Sequence, residues 1–144
     1  MSVAVMSSFE LFELSEKPLD VGRLAASLVD IHAGAFVSFE GRVRDTNENR
    51  VVVGLEYEAY VELCRKEGIA IVREARDGVI AARCVHRVGQ LAVGDVAVWV
   101  GVLAGHRDEA FRAGRFIIDE VKRRVPIWKK EHYRDGSSEW IGLG

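Results

Sequence analysis

The sequence predicts an α+β fold with a mostly antiparallel sheet, interleaved helices and a small C-terminal hairpin. Four segments alternate apolar and polar residues with the two-residue period of a strand, and three others repeat apolar residues at helical spacing. In the tail, the turn pair Asp135-Gly136 separates the strand-like segments 128–131 and 139–141, which is typical of a hairpin. No repeat, low-complexity tract or linker interrupts the chain, so we expect residues 1–144 to form one domain.

The first predicted elements are a short strand and a helix. Residues 9–14 form the strand, and Pro18 and Asp20 are typical of a helix start. One side of this helix is apolar and consists of Leu24, Leu28 and Val29.

Two strands and a second helix follow. Alternation predicts strands over residues 35–43 and 51–57, and the polar segment 45–50 between them indicates a hairpin with a long connection. A helical stripe then begins at Tyr60 and closes near Gly78, because glycine commonly ends helices.

The C-terminal half repeats the order strand, strand, helix. Residues 80–88 alternate, residues 89–95 have the composition of a turn, and the valine-rich residues 96–102 predict a strong strand. The longest helix covers about residues 106–124 and stops at Pro126, which cannot continue it. The residues of this helix expected to be buried are Ala110, Ile117 and Val121.

Charge is distributed unevenly along the chain. The formal net charge is −2, but residues 107–134 carry nine Lys/Arg against five Asp/Glu, and the remainder carries eleven against seventeen. A basic segment on an acidic body indicates an anionic ligand. Solvated charge on a helix surface gives the same count and stays open as the alternative.

The composition predicts neither a metal site nor a secreted or membrane protein. Cys64 and Cys84 lie twenty positions apart without a C-x-x-C pattern, and the four histidines show no ligand spacing. We expect two ordinary, half-buried thiols. The N-terminus lacks the pattern of a signal peptide, and the longest apolar run, residues 96–104, is far shorter than the ~20 residues that span a bilayer. A soluble, cytoplasmic protein is expected.

Two arginines at a strand end form the first candidate anion site. Arg42 and Arg44 are two positions apart, so a strand would direct both guanidiniums to one face, where they could hold a phosphate. The alternative is a solvated strand end with ion pairs to Asp45 or Glu48.

The start of the longest helix is the second candidate anion site. His106 and Arg107 lie at a helix N-terminus, where free N–H groups and the helix dipole favour an anion. A cation there is unfavourable unless negative charge is nearby. Either an anionic ligand or the neighbouring Asp108 and Glu109 could supply that charge.

Lysines surround the end of the same helix. Lys122 falls in the last turn, where the helix dipole favours a cation whether or not it has a chemical role. Lys129 and Lys130 follow in an extended segment, so only one of them should face inward. An inward lysine beside Ile127 and Trp128 would be partly desolvated, which makes its amine available as a nucleophile or acid/base group.

Five motifs, read in order, resemble the large subunit of molybdopterin synthase, the MoaE family. They are F-x-G-x-V-R at 39–44, V-H-R-V-G at 85–89, G-D at 94–95, H-R-x-x-A-F-x-A-G-x-F-I at 106–117 and K-x-R-x-P-x-W-K-x-E at 122–131. The resemblance extends over residues 34–140, and its last two motifs are long and specific.

The resemblance implies a sulfurtransferase with the MoaE-like α/β hammerhead fold and no cofactor. In this family a small ubiquitin-like subunit inserts its C-terminal Gly-Gly thiocarboxylate into the large subunit. Sulfur passes to cyclic pyranopterin monophosphate, and two rounds build the dithiolene of molybdopterin. Two large subunits form a central homodimer with one small subunit at each end, a heterotetramer.

Site residues carry over by position. The family's catalytic lysines match Lys122 and Lys129, and a channel for the partner's tail is expected beside Phe39, Ile118 and Trp128. The matched substrate-binding positions are Arg42, Val43, Arg44, His106, Arg107, Lys122, Lys129, Lys130 and Glu131.

Two departures from the family's pattern concern anion binding. Some relatives have lysine in place of Arg42, which preserves the charge. Some relatives also carry an arginine just after the position of Trp140, where this sequence has none. Phosphate binding is therefore expected to depend more on Arg107.

Helix length indicates how the site is assembled. His106 and Lys122 lie sixteen residues apart on one helix, which places them ~24 Å apart at 1.5 Å per residue. The resemblance places both segments at the substrate, and one pterin cannot contact both within a subunit, so we expect a site shared across a two-fold dimer.

Other functions predict different behaviour. A non-enzymatic basic module that binds RNA or an acidic protein through residues 107–134 would show broad, steeply salt-dependent affinity. A phosphoester hydrolase using His106 and Lys129 would need a metal set or a nucleophile, and the sequence has no recognisable one.

Overall fold

Two sheets and three helices make up the part of the chain that the structure, a computed structural model, describes, which is residues 11–142. The strands are β1 (Phe12–Ser15), β2 (Ala35–Arg42), β3 (Thr46–Asn47), β4 (Arg50–Ala59), β5 (Val79–Arg87), β6 (Gly89–Ala92), β7 (Val96–Ala104), β8 (Ile127–Tyr133) and β9 (Ser138–Ile141). The helices are α1 (Val21–Ala26), α2 (Val61–Glu74) and α3 (Arg107–Arg124). None of the described helices is long and apolar enough to cross a membrane.

The first sheet carries the main hydrophobic core. Its strand order is β1-β5-β7-β2, with β1 parallel to β5 and the other pairs antiparallel. Helices α2 and α3 pack on one face, where Ile71 and Ile117 are fully buried against Val100 and Val102. Helix α1 covers the other face, which holds the buried Trp99.

The second sheet is antiparallel throughout and carries the hairpin. Its path is β3-β4-β8-β9, and β6 also pairs with β4. Its small core consists of Val43, Leu55, Leu91 and Ala97. The mostly antiparallel α+β prediction is therefore confirmed, and so is the hairpin, because β9 pairs with β8 across a turn at Gly136.

The predicted hairpin between residues 35–43 and 51–57 is wrong. Strand β2 pairs with β7 in the first sheet, whereas β4 belongs to the second sheet. Alternation shows that a segment is a strand but does not specify its partner. The alternation itself fails in β4, where a bulge between Val52 and Gly54 leaves Val53 53% exposed.

Three predicted boundaries also change. Helix α1 ends at Ala26, so Val29 lies beyond it and is 62% exposed, while Leu28 is buried. The segment 89–95 contains strand β6 before its turn. The first strand is Phe12–Ser15, and the earlier part of the predicted strand 9–14 lies outside the described residues.

Helix α3 agrees with its prediction. His106 is the N-cap, the helix ends at Arg124, and the predicted buried residues Ala110, Ile117 and Val121 are buried. This helix places its C-terminal turn beside the second sheet, where the candidate site lies.

Candidate functional site

A cationic cavity forms where helix α3, strand β8 and the segment after β2 meet. Its volume is about 160 Å³. The cationic residues that line it are Arg42, Arg44, Lys122 and Lys129. One carboxylate, that of Glu131, lines the same cavity. With Val43, which also lines the cavity, the structure thus brings together six predicted site residues from three separate parts of the chain.

Strand β8 sorts its side chains between two faces. Lys129 and Glu131 are two positions apart and both face the cavity, opposite Tyr57 and Leu55 of β4 in the strand register. Lys130 points the other way and lies 5.5 Å from the ring centre of Trp140. One lysine of the pair therefore faces inward, as the alternation predicts, and Lys130 is not a cavity residue within this chain.

Arg42, the last residue of β2, and Arg44, two residues beyond it, both line the cavity. Arg42 is highly exposed and pairs with Glu40 at 2.7 Å, rather than with Asp45 or Glu48. The side chain of Val43, which lies between the arginines, is buried in the small core of the second sheet. The buried side chain of Val43 thus anchors the segment that carries the two guanidiniums.

Glu131 is buried, and both of its carboxylate oxygens have partners. It is 5% exposed, and its Oε1 accepts hydrogen bonds from Asn47 Nδ2 at 2.7 Å and from the Tyr133 hydroxyl at 3.0 Å. Its Oε2 lies 4.0 Å from Lys129 Nζ. This carboxylate offsets part of the positive charge in the cavity.

Lys122 lies at the junction of three spaces. It lines the cationic cavity, a smaller hollow of about 50 Å³ next to it, and an apolar groove of about 490 Å³ between β2 and α3. Partial burial lowers the pKa of the Lys122 amine, and the nearby ammonium of Lys129 lowers it further. Both effects disfavour the charged form of the amine relative to a free lysine.

The groove between β2 and α3 contains two of the three predicted tail-channel residues. Phe39 and Ile118 line it, together with Phe111, and Lys122 lies at one end. Trp128 does not line it, because this residue projects from the outward face of β8 and is 41% exposed. The expectation that Trp128 lines the channel is therefore corrected.

Two aromatic residues that line the cavity were not predicted from the sequence as site residues. Tyr57 and His86 pack edge to face at 5.0 Å between ring centres and line both the cavity and the hollow. Burial raises the pKa of Tyr57 to about 12, with a contribution from the Glu131 carboxylate. The available signal was the V-H-R-V-G motif, which contains His86 on a strand face shared with Cys84.

His86 is held as a neutral imidazole. Its Nδ1 lies 2.7 Å from the Arg87 carbonyl oxygen, which only accepts, so Nδ1 carries the proton and Nε2 is left with a lone pair. Burial lowers the pKa of His86 to about 4, and the charge of Lys122 acts in the same direction.

His106 and Arg107 are not brought to this cavity within one chain. Both are exposed at the N-terminal end of α3, whose first turn contains Asp108 and Glu109. Lys122 lies near the opposite end, ~24 Å away along the axis by helix geometry.

The basic segment 107–134 uses several of its cations internally. Arg115 pairs with Asp119 and Arg123 with Glu120, while Arg124 bridges to α2 through a bidentate pair with Glu74. For these three arginines the ion-paired helix surface is the observed arrangement. Among residues 11–142 no cluster of His, Cys, Asp or Glu is grouped to hold a metal ion.

Both cysteines are more buried than expected. Cys64 and Cys84 lie in the main core, and burial raises the pKa of their thiols to about 11 and about 12. Neither thiol is prepared to act as a nucleophile at neutral pH.

Comparisons with known proteins agree on one family. The family model described as MoaE protein matches residues 14–124. The molybdopterin synthase catalytic subunit of Synechococcus elongatus is 43% identical over 132 residues, which cover 90% of this chain and 80% of that protein.

Solved structures give the same result. Molybdopterin synthase from Staphylococcus aureus has a TM-score of 0.85 and 35% identity, covering 96% of this chain and 99% of the other. A chain from the protein–protein complex of subunits 1 and 2 of the Helicobacter pylori molybdopterin-converting factor has a TM-score of 0.71, covering 90% and 88%. At 23% identity, this second likeness concerns the fold alone.

Proposed function

The chain belongs to the MoaE family, and from that premise we propose that it is the catalytic subunit of a molybdopterin synthase. It transfers sulfur from the C-terminal thiocarboxylate of a small ubiquitin-like subunit to cyclic pyranopterin monophosphate. Two such transfers form the dithiolene of molybdopterin.

The position of Lys122 is the observation that carries this proposal. Its side chain is shared by the apolar groove and the cationic cavity, so it lies where an inserted tail would meet an anionic substrate. A groove lined by Phe39, Phe111 and Ile118 suits an extended, uncharged backbone. A cavity with four cations suits a cyclic phosphate.

The chemistry requires little beyond positioned cations. The thiocarboxylate sulfur bonds to a side-chain carbon of the substrate while that carbon's bond to an oxygen, of the cyclic phosphate or of a hydroxyl, breaks and the departing oxygen takes up a proton. The tail and the substrate are then joined by a thioester. Water then attacks the tail's carbonyl carbon and the carbon–sulfur bond breaks, releasing the tail as a carboxylate and leaving sulfur on the pterin. Negative charge develops on the carbonyl oxygen during this attack, and the amines of Lys122 and Lys129 are placed to stabilise it.

The sulfur itself is the nucleophile, so the enzyme needs no reactive thiol of its own. This fits the buried, high-pKa thiols of Cys64 and Cys84. Two free cysteines are also compatible with the cytoplasm, because thiols stay reduced in that compartment. The cytoplasm is where we place the reaction.

The assembly is part of the proposal. We expect two copies of this chain at the centre and one small subunit bound to each. Within such a dimer, His106 and Arg107 of one copy would complete the cavity formed by Arg44, Lys122 and Lys129 of the other. A substrate phosphate would then supply the negative charge that the N-terminus of α3 favours.

Reconstitution with Lys122→Ala tests the function. The purified chain, a thiocarboxylated small subunit and cyclic pyranopterin monophosphate should together yield molybdopterin. The Lys122→Ala variant should lose at least about a hundredfold of that rate, because a group that acts in the transition state is removed. Lys66→Ala, which removes an exposed lysine of α2, is the matched control and should keep full activity. A folded Lys122→Ala protein with near-normal turnover would refute the proposed role.

A further inference from the structure

The hydrogen bonds around Glu131 are unequal on its two oxygens. Oε1 accepts both protein donors, Asn47 Nδ2 at 2.7 Å and the Tyr133 hydroxyl at 3.0 Å. Oε2 faces the Lys129 ammonium at 4.0 Å. Two donors on one oxygen fix the rotation of the carboxylate, and therefore fix the direction in which the other oxygen points.

The three partners of Glu131 come from two strands. Tyr133 and Lys129 lie two residues on either side of it along β8, while Asn47 belongs to β3. The tight turn at Glu48 and Asn49, both with positive φ, returns the chain from β3 into β4. Since Asn47 follows Arg44 by three residues, its bond to Glu131 ties the arginine segment to the strand that carries Lys129.

We propose that Asn47 and Tyr133 are positioning residues for sulfur transfer, which hold Glu131 so that its second oxygen directs the Lys129 amine into the cavity. On this account Glu131 is an internal counter-ion and not a substrate contact. The inference rests on the proposed function of the same cavity. It assigns roles to two residues that do not line the cavity themselves.

Burial and the charge of the cavity explain why this arrangement is needed. Lys129 shares the cavity with the cations of Arg42, Arg44 and Lys122, which repel it. A flexible lysine under that repulsion would turn toward solvent unless a carboxylate held it. A misplacement of a reacting group by about 1 Å can lower a rate by about a hundredfold, so orientation alone has a measurable effect.

The first experiment compares single-turnover sulfur transfer in Asn47→Ala, Tyr133→Phe and Glu131→Gln, and in each of the first two combined with Glu131→Gln. Asn47→Ala and Tyr133→Phe should each lower the rate by about tenfold, while the affinity for the pterin substrate stays within about twofold. Each should have less than about a twofold further effect in a Glu131→Gln background, because all three act through one carboxylate. Tyr133→Phe keeps the ring that stacks on Arg50, so it preserves the fold.

Ser138→Ala is the matched control. It removes a side-chain hydrogen bond in the same hairpin, the 3.0 Å contact with His132, away from Glu131. Its rate should stay within about twofold of the parent. Unchanged rates in both Asn47→Ala and Tyr133→Phe would overturn the inference. So would losses that multiply with Glu131→Gln, or a fall in substrate affinity that accounts for the whole effect.

The second experiment does not depend on activity. Nitrogen-15 NMR of the substrate-free protein, with the Lys129 Nζ signal assigned from Lys129→Arg, reports directly on the amine's surroundings. Asn47→Ala, Tyr133→Phe and Glu131→Gln should all shift that signal and speed its exchange with water, and Ser138→Ala should not. An unmoved signal overturns the inference. A wild-type chain that transfers no sulfur overturns the proposed function instead, and the NMR result then still tests whether Asn47 and Tyr133 position the Lys129 amine.

Discussion

His86 shows what burial does to a single residue beside the lysines. The imidazole is enclosed between Tyr57 and the main core, and its Nδ1 donates to the backbone carbonyl of Arg87. A charged imidazole here would lose its hydration and would face the cation of Lys122. The fold therefore keeps this residue neutral near a site that otherwise concentrates positive charge.

The neutral state predicts a specific dependence of stability on pH. The pKa of His86 is about 4 when folded, against 6.5 in the unfolded chain, so the unfolded state takes up a proton first as the pH falls. Its contribution is complete above pH 6.5 and is lost between 6.5 and about 4, a fall of about 3 kcal/mol.

Denaturant unfolding of the parent and His86→Asn between pH 7 and pH 4 measures this. Asparagine can still donate to the Arg87 carbonyl, so the packing change is small. The free-energy difference between the two proteins should shrink by about 3 kcal/mol as the pH falls. His32→Asn, at an exposed histidine, should show no such change, and parallel curves for His86→Asn would contradict the prediction.

Residue identity allowed some site residues to be found from sequence and not others. Arg42, Arg44, Lys122 and Lys129 were predictable because charge at strand and helix ends, together with the motifs, marks them. Asn47 is an ordinary loop residue in the sequence. Its importance arises from a contact with Glu131, 84 positions away, which no local pattern encodes.

At the level of elements, periodicity identified strands and helices but not their partners. Helix α3 was predicted almost to the residue, because a capped start and Pro126 delimit it. Strands β2 and β4 were predicted as strands, but they were paired wrongly with each other. Alternation of apolar and polar residues does not distinguish one possible partner strand from another. The pairing matters for function, because placing β2 in the first sheet opens the groove between β2 and α3.

The groove predicts which length and sequence the C-terminal tail of the partner must have. On the proposed function, the tail lies along Phe39, Phe111 and Ile118 and its terminal atoms reach Lys122. Glycine is suited to this position because a backbone without Cβ atoms can pass close to packed side chains.

A small subunit extended by one residue after its last glycine tests this reading. The extended partner should still bind within about threefold of the native affinity, because most of its contact surface is unchanged. It should support less than about a hundredth of the sulfur transfer, because its carbonyl no longer coincides with Lys122. Calorimetry and product formation measure the two quantities. Equal activity of the native and extended partners would rule out insertion to a fixed depth.

In the whole molecule, two candidate anion-binding regions lie far apart. Arg44, Lys122 and Lys129 meet at one end of α3, while His106 and Arg107 lie exposed at the other. Helix length alone could predict this separation from the sequence. Which surface joins two copies could not be predicted, because it depends on the assembled shape of both sheets.

A shared site predicts complementation between inactive chains. Arg107→Ala and Lys122→Ala homodimers should each be inactive, since each lacks one half of every site. When the two chains are mixed and exchange at random, half of the dimers are mixed and each has one intact site, so activity should return to roughly a quarter of the parent value. Native mass spectrometry establishes the exchange. No recovery despite mixed dimers would show that each site is built within a single chain.

The fate of the partner's sulfur tests the central claim most directly. Purified chain, thiocarboxylated small subunit and cyclic pyranopterin monophosphate are combined, and mass spectrometry follows the small subunit's C-terminus while molybdopterin is quantified. The account predicts that two tails change from thiocarboxylate to carboxylate for each molybdopterin formed, and that Lys122→Ala abolishes both changes together. Tails that keep their sulfur in the presence of the pterin and a folded, partner-bound chain would contradict it.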